Sequence, residues 1–290
     1  MRPIETYHRD LKTNGFVTDP AQKRAIDALQ RLYDDLVADT TSPARLIKRL
    51  PGLFTNSHTT AIKGLYIWGG VGRGKTWLMN LFYESLPFEN KLRLHFHHFM
   101  LDVHEKLARL DKLKNPLTAI ARDFAANYRV LCLDEFIVTN ITDAMLLTGL
   151  LEELINNGVT LVATSNRVPD DLYKNGLQRE RFLPAIELIK QHTHVMHIDG
   201  DTDHRIPLLE QDDNYYTPIT QSTHDKLEQR MATLAPGTIS RDHVLTVHKR
   251  PIKTLMHANE IAWFEFDALC DGPRATPDYI ELAREFHTLI

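Results

Sequence analysis

Short apolar runs alternate with amphipathic stretches along the middle of the chain. Runs at 62–68, 129–135 and 159–164 have the length and the aliphatic content of buried strands. The stretch after the first run carries apolar residues three and four positions apart until Pro87, which predicts a helix. This alternation continues over residues 62–199 and indicates an α/β fold, in which helices cover both faces of a parallel sheet.

Two further strands are predicted at 91–100 and 194–199, which gives a sheet of five strands. In the first of these, apolar residues alternate with Arg93, His95 and His97. The histidines do not combine with cysteine or carboxylate in a recognisable zinc spacing. We therefore interpret them as imidazoles on one face of a strand rather than as metal ligands.

Different patterns flank this central segment. Residues 1–61 are expected to form an N-terminal helical segment, because an Asp-Pro pair begins a stretch with one apolar face. The α/β domain is placed at 62–200. Residues 201–290 are predicted to be a smaller C-terminal region of short strands and helices. Since 287–290 read like the start of a strand, we expect this region to be incomplete and the chain to be truncated there.

A glycine-rich segment separates the first strand from the first helix of the central domain. It has the spacing G-x-x-x-x-G-K-[ST], through Gly69, Gly74, Lys75 and Thr76. Glycines let backbone N–H groups form a concave nest for phosphate oxygens. Lys75 would reach the β- and γ-phosphates, and the Thr76 hydroxyl would bind Mg²⁺. The residues expected to contact the nucleotide are Gly69, Gly70, Val71, Gly72, Arg73, Gly74, Lys75, Thr76 and Trp77.

The strand at 129–135 ends in two carboxylates, Asp134 and Glu135. In P-loop proteins a strand-end Asp holds Mg²⁺ through water, and a Glu directly after it suits a general base that activates the attacking water. A small-molecule kinase does not need that Glu, because its substrate supplies the nucleophile. Without the P-loop, a solvated strand end followed by a helix cap would be the favoured interpretation; with it, the pair predicts Mg²⁺-dependent nucleotide hydrolysis.

Two more polar features follow the third buried strand. Asn166 falls just past its carboxyl end, where open α/β sheets bind ligands, and its amide would position water or contact the γ-phosphate. The alternative is an asparagine favoured by a turn. Further along, Arg179 or Arg181 could reach the γ-phosphate of a neighbouring subunit as an arginine finger. From the residues alone, a solvated charged face with Glu180 is the more frequent explanation.

Composition narrows the classes of function. The chain has 290 residues, 43% hydrophobic and 25% charged, an ordinary globular balance. Its net charge of −4 disfavours a dedicated non-specific nucleic-acid binder. No apolar run approaches the roughly 18 residues that span a bilayer, and the N-terminus has no targeting pattern. With only two cysteines, a reducing compartment is expected.

The order of these motifs resembles that of AAA+ ATPases. Several segments are more specifically similar to the Afg-like ATPase family, and the resemblance extends from residue 8 to about residue 286. The segments that carry it are 64–76, 133–136, 141–145, 163–167 and 171–179. The resemblance implies a three-layer αβα core with a parallel five-stranded sheet, and a protein that binds and hydrolyses ATP with Mg²⁺.

Within this family, the chain is most similar to bacterial members that act in cell division. The resemblance implies an ATP-dependent homo-oligomer in the bacterial cytoplasm, at the division septum, that acts on the FtsZ ring or another protein polymer. It also makes Asn166 the first sensor and favours Arg179 over Arg181 as the finger. Arg205 and Arg250 are candidates for a second sensor arginine.

Four other functions stay open at this point. A replication loader or initiator would bind DNA through a basic face with strong salt dependence. A general protein-remodelling ATPase would share the same core. A P-loop kinase would transfer phosphate to an acceptor other than water, against which Glu135 argues. A scaffold in which ATP only sets conformation is disfavoured by the complete set of Lys75, Asp134 and Glu135.

Overall fold

The computed structural model describes most of the chain in two compact units, Met1–His204 and Arg205–Ile290. The described residues are 1–14, 19–40, 61–110, 113–199, 216–234, 239–247, 250–258, 261–272, 274–286 and 288–290.

The first unit is built on a five-stranded parallel sheet. Its strands are β1 (Gly64–Trp68), β2 (Lys91–His95), β3 (Val130–Asp134), β4 (Thr160–Ser165) and β5 (Thr193–His197). They lie in the order β2-β3-β4-β1-β5, and every neighbouring pair is parallel. The central strands β1, β3 and β4 are buried along nearly their whole length, as apolar runs covered on both faces should be. The predicted α/β class and five-stranded parallel sheet are therefore confirmed.

Helices cover both faces of this sheet. They are α1 (Pro3–Asn14), α2 (Pro20–Thr40), α3 (Lys75–Ser85), α4 (Phe96–Arg109), α5 (Pro116–Asn127), α6 (Ile141–Asn156) and α7 (Leu183–His192). Alternate residues of each strand point to opposite faces. Leu131 and Leu133 of β3 therefore join the core under α4 to α7, whereas Val130 and Cys132 join the core under α1 to α3.

The N-terminal helices α1 and α2 form part of the core that includes Val130 and Cys132. Asp19 begins α2, since its carboxylate accepts the N–H of Ala21 at 2.6 Å and Pro20 occupies the first helical position. At the other end of α2, Arg129 donates to the carbonyl oxygen of Leu36 and to the carboxylate of Asp39. Both ends of α2 are thus fixed by polar contacts, and the contact at its C-terminal end ties it to the start of β3.

The expected strand at 91–100 is wrong in its second half. β2 ends at His95 and α4 begins at Phe96. Phe96, Phe99, Met100 and Val103 are all buried at the helical spacing of three and four residues. Their burial against the sheet favours a helix over continuation of an alternating strand.

In its described residues, the second unit combines two small sheets with three helices. A four-stranded sheet has the order β11-β10-β9-β6, and β7 pairs with β8 as an antiparallel hairpin. The strands are β6 (Ser240–Arg241), β7 (Val244–Val247), β8 (Arg250–Lys253), β9 (Met256–Ala258), β10 (Ile261–Trp263) and β11 (Thr288–Leu289). The helices are α8 (Gln221–Leu234), α9 (Phe266–Cys270) and α10 (Thr276–Glu285). Across the described parts of both units, no helix has the length and hydropathy needed to cross a membrane.

Candidate active site

The glycine-rich loop links β1 to α3, and its backbone requires glycine. Gly69 has φ 156°, and a Cβ atom there would lie 2.3 Å from the carbonyl oxygen of Ile198. Gly74 has the left-handed φ 77° and ψ 18° at the N-terminal cap of α3. The N–H groups of the first helical turn have no helical acceptor, so they are available to an anion at this end of the helix.

Lys75 lies along the inside of this loop. Its Nζ donates to the carbonyl oxygens of Gly69 at 2.9 Å and Gly70 at 2.7 Å. Thr76 follows it in the first turn of α3. The ammonium group and the hydroxyl therefore both belong to the glycine-rich loop and the first turn of the helix that follows it.

The carboxylates lie at the end of β3. Asp134 is its last residue and is only 2% exposed. Its Oδ1 accepts a hydrogen bond from the Thr164 hydroxyl of β4 at 3.1 Å. Glu135 has the left-handed φ of 52°, and its N–H donates to the same hydroxyl at 3.3 Å. This backbone turn gives the two neighbouring carboxylates different surroundings, because Asp134 is enclosed while the Glu135 side chain is 29% exposed.

Arg93 is a residue of the site that sequence reasoning missed. From β2, its Nε donates to Asp134 Oδ2 at 2.6 Å and its Nη1 donates to Asn80 Oδ1 of α3 at 2.8 Å. Its guanidinium also lies 3.5 Å from the carbonyl oxygen of Thr76. A signal was present, because an arginine inside a predicted core strand needs a buried partner. The spacing of residues did not indicate which carboxylate that partner is.

The histidines near β2 do not share one strand face, which corrects the prediction. His95 ends β2 opposite Asp134 and its Nδ1 lies 4.0 Å from Glu135 Oε2. His97, His98 and His104 belong to α4, where the Nε2 atom of His104 lies 2.7 Å from Asp143. Among the described residues, no group of three His, Cys, Asp or Glu side chains is arranged to hold a metal ion.

Asn166 lies exposed directly after β4. The turn that presents it is tied to the segment after β3, since the Ser165 hydroxyl donates to the Phe136 carbonyl at 2.8 Å. The carbonyl of Arg167 accepts the Tyr66 hydroxyl at 2.9 Å, and burial raises the pKa of that phenol. The structure thus brings Asn166 to the same edge of the sheet as the carboxylate pair and the glycine-rich loop.

Arg179, Arg181 and Arg250 come from other segments of the chain. Arg179 and Arg181 belong to the 3₁₀ helix Arg179–Arg181, where Arg179 Nη2 donates to the carbonyl oxygen of Asp170 at 2.5 Å and Arg181 is exposed. Arg250, in the second unit, donates to both carboxylate oxygens of the buried Asp278. Arg205 lies outside the described residues.

These features define the class of the protein. A glycine-rich loop between a buried parallel strand and a helix, with a strand-end carboxylate pair on the same sheet, is the arrangement of a P-loop nucleoside triphosphatase. The model of the AFG1-like ATPase family matches residues 1–290, and the chain belongs to this family. The resemblance inferred from the motifs is therefore confirmed.

Individual relatives are similar over nearly the whole chain. This chain is 44% identical over 296 residues to the cell division protein ZapE of Escherichia coli K12, and the alignment covers 100% of this chain and 79% of that protein. It is 34% identical over 320 residues to an uncharacterized protein of Schizosaccharomyces pombe, with 99% and 70% covered. Among solved structures, DnaI matches with a TM-score of 0.41 and 19% identity, covering 65% of this chain and 87% of that chain.

Proposed function

We propose that this protein binds ATP with Mg²⁺ and hydrolyses it, and that this turnover serves bacterial cell division through the FtsZ ring. One observation carries the catalytic part. The glycine-rich loop, the Asp134–Glu135 pair and Asn166 lie at the carboxyl ends of β1, β3 and β4, which are neighbours in the sheet. Parallel strands end at the same edge, where open α/β sheets bind their ligands.

Each residue has a distinct proposed role. The loop from Gly69 to Thr76, with Trp77 behind it, cradles the phosphates, and Lys75 exchanges its carbonyl partners for phosphate oxygens. Glu135 accepts the proton of the attacking water, since it is the more exposed of the two carboxylates. Asn166 positions that water or contacts the γ-phosphate.

Thr76 and Asp134 are the residues that would hold Mg²⁺. A hydroxyl and a carboxylate offer the hard oxygen ligands that this ion prefers. Asp134 also fits because its two oxygens are oriented, one by Thr164 and one by Arg93. The ion supplies positive charge that offsets the charge developing on the transferring phosphoryl group.

Replacement of the proposed base tests the hydrolytic reaction. Glu135→Gln should keep ATP affinity and lower turnover by at least about 100-fold, the usual minimum for loss of a general base. ATP binding is measured with a fluorescent analogue, and turnover by release of phosphate. Glu152→Gln, an exposed glutamate of α6, is the matched control and should behave like the wild type. Turnover retained in Glu135→Gln would reject Glu135 as the base.

The proposed target rests on similarity to a cell division protein over the whole chain. The decisive measurement is sedimentation of FtsZ polymers with wild-type protein, with and without ATP, and with Glu135→Gln. We expect the pelleted fraction to change only where ATP is hydrolysed. ATP turnover without any effect on FtsZ would retain the ATPase and reject FtsZ as its target.

A further inference from the structure

A buried side chain of the N-terminal helices touches the backbone of the glycine-rich loop. Gln22, in the first turn of α2, is 3% exposed, and its Nε2 donates to the carbonyl oxygen of Arg73 at 3.0 Å. The same Nε2 lies 2.8 Å from the place where a Cβ atom on Gly74 would stand. Because the acceptor is a carbonyl, the contact requires the amide N–H₂ of glutamine rather than its oxygen.

The contact fixes the orientation of one peptide unit in the loop. In a planar trans peptide, the C=O and the following N–H point to opposite sides. When Gln22 holds the carbonyl of Arg73 toward α2, the N–H of Gly74 must point away from α2. The left-handed conformation of Gly74 accommodates this turn without a side chain in the way.

The position of Gln22 is itself determined by the packing of α1, α2 and α3. The Asp19 cap fixes the first turn of α2 at Ala21 and Gln22. The ring of Tyr7 in α1 packs on that of Trp77 in α3, with centroids 5.3 Å apart. Since the Gln22 side chain is also buried and hydrogen-bonded to the Arg73 carbonyl, its rotamer is ordered by the fold itself, so nucleotide binding does not bear that entropic cost.

We infer that Gln22 is a positioning residue for the phosphate nest, through which the N-terminal helices respond to nucleotide. This inference rests on the proposed function of the loop as a nucleotide site. If the contact with Gln22 strengthens nucleotide binding, then nucleotide binding must strengthen the contact by the same factor, because coupling between two sites is reciprocal. The N-terminal helices would thus be more firmly docked in the nucleotide-bound protein.

Two substitutions in the same helix separate this role from simple packing. Gln22→Leu keeps the size of the side chain but removes the donor to the loop. Gln30→Leu is the matched control, because Gln30 accepts the N–H of Ile4 in α1 and its side chain makes its contacts away from the loop. We expect Gln22→Leu to weaken binding of a fluorescent ATP analogue by about fivefold to tenfold, the effect of one hydrogen bond. Gln30→Leu should bind as the wild type does.

Hydrogen exchange gives a readout that does not depend on activity. In nucleotide-free protein, Gln22→Leu should speed exchange of the amides at 70–76, and Gln30→Leu should not. In the wild type, nucleotide should slow exchange in the first turns of α2.

Gln22→Glu, which offers only acceptors to the Arg73 carbonyl when ionised, should weaken binding at least as much as the leucine variant. Unchanged affinity and loop exchange in both Gln22 variants would overturn the inference. Failure of the wild type to bind better than Lys75→Ala would instead reject the proposed nucleotide site.

Discussion

At the scale of single residues, the site depends on a carboxylate that is enclosed by protein. Asp134 is 2% exposed, yet its oxygens are satisfied by the Arg93 guanidinium and the Thr164 hydroxyl. A buried charge without a partner is costly, so the arginine makes an ionised Asp134 tolerable inside the fold. The same guanidinium donates a hydrogen bond to Asn80 of α3. It thus joins the edge of the sheet to the helix that follows the glycine-rich loop.

Replacing Arg93 should therefore destabilise the fold. We expect Arg93→Met to lower the free energy of unfolding by about 3–5 kcal/mol, because it leaves the Asp134 carboxylate buried and unpaired. Denaturant unfolding of the protein measures this loss of free energy. Arg109→Met removes an ion pair between side chains that are 75% and 65% exposed and should cost less than about 1 kcal/mol. In the double variant with Asp134→Asn, the loss should be smaller than the sum of the two single losses. Strict additivity would contradict this pairing.

Two adjacent glycines of the glycine-rich loop should differ sharply in their tolerance of replacement by alanine. A Cβ on Gly69 would lie 2.3 Å from the Ile198 carbonyl oxygen, whereas on Gly70 the nearest atom is Arg73 Nε at 3.5 Å. Gly69→Ala should thus cost more than about 1 kcal/mol, which lowers the Tm by at least about 2–4 °C in a domain of this size. Gly70→Ala should leave the Tm unchanged. Equal shifts in thermal unfolding would refute the steric argument.

At the scale of elements, local patterns predicted the sheet and the place of the glycine-rich loop because each is encoded by consecutive residues. The apolar runs of β1, β3 and β4 read as buried strands, and they are buried. The boundary at His95 could not be found in this way. Alternation at 92, 94 and 96 satisfies a strand pattern, while 96, 99, 100 and 103 satisfy a helix pattern, and only packing against the sheet decides where one ends.

Contacts between distant segments were beyond the reach of pattern analysis. Gln22 lies 51 residues before Arg73, and Arg93 lies 41 residues before Asp134. Neither pair shares a motif or a period. The first pair follows from the way α2 packs beside α3, and the second follows from the register of β2 against β3. Side chains that support a site from neighbouring elements are set by tertiary structure, and spacing along the chain does not record them.

Among the elements of the second unit, a histidine pair gives a pH dependence. His257 of β9 stacks on His243 with ring centroids 5.3 Å apart, and burial together with the neighbouring imidazole lowers the pKa of His257. In the unfolded chain, His257 takes up a proton near the ordinary histidine pKa of about 6.5, while in the folded state its protonation is disfavoured. Stability contributed by the neutral imidazole is complete above that pH and is lost as pH falls toward the lowered folded pKa.

Thermal unfolding at pH 7.5 and pH 5.5 tests this argument. The wild type should lose stability at the lower pH, and His257→Gln should lose less. His194→Gln, at an exposed position of β5, is the control and should keep the wild-type pH dependence. An identical pH dependence in His257→Gln would exclude this histidine as the source.

At the scale of the whole molecule, we propose that an ATP-dependent homo-oligomer completes the active site. Arg179 is held by the carbonyl of Asp170 of its own chain, and Arg181 is exposed two residues further on. Both arginines belong to the 3₁₀ helix Arg179–Arg181. In such an oligomer, Arg179 of one subunit would reach the γ-phosphate bound by another.

A shared site makes turnover depend on protein concentration. Specific ATPase activity of the wild type should rise with concentration, whereas Arg179→Ala should stay low by a factor of about 10³ or more, the usual effect of an arginine finger. Arg181→Ala is the matched control and should retain activity. Mixing Arg179→Ala with Glu135→Gln should restore turnover, because a mixed interface combines an intact base from one chain with an intact arginine from the other. Activity that is independent of concentration, with no recovery on mixing, would show that each chain hydrolyses ATP alone and that Arg179 does not act between subunits.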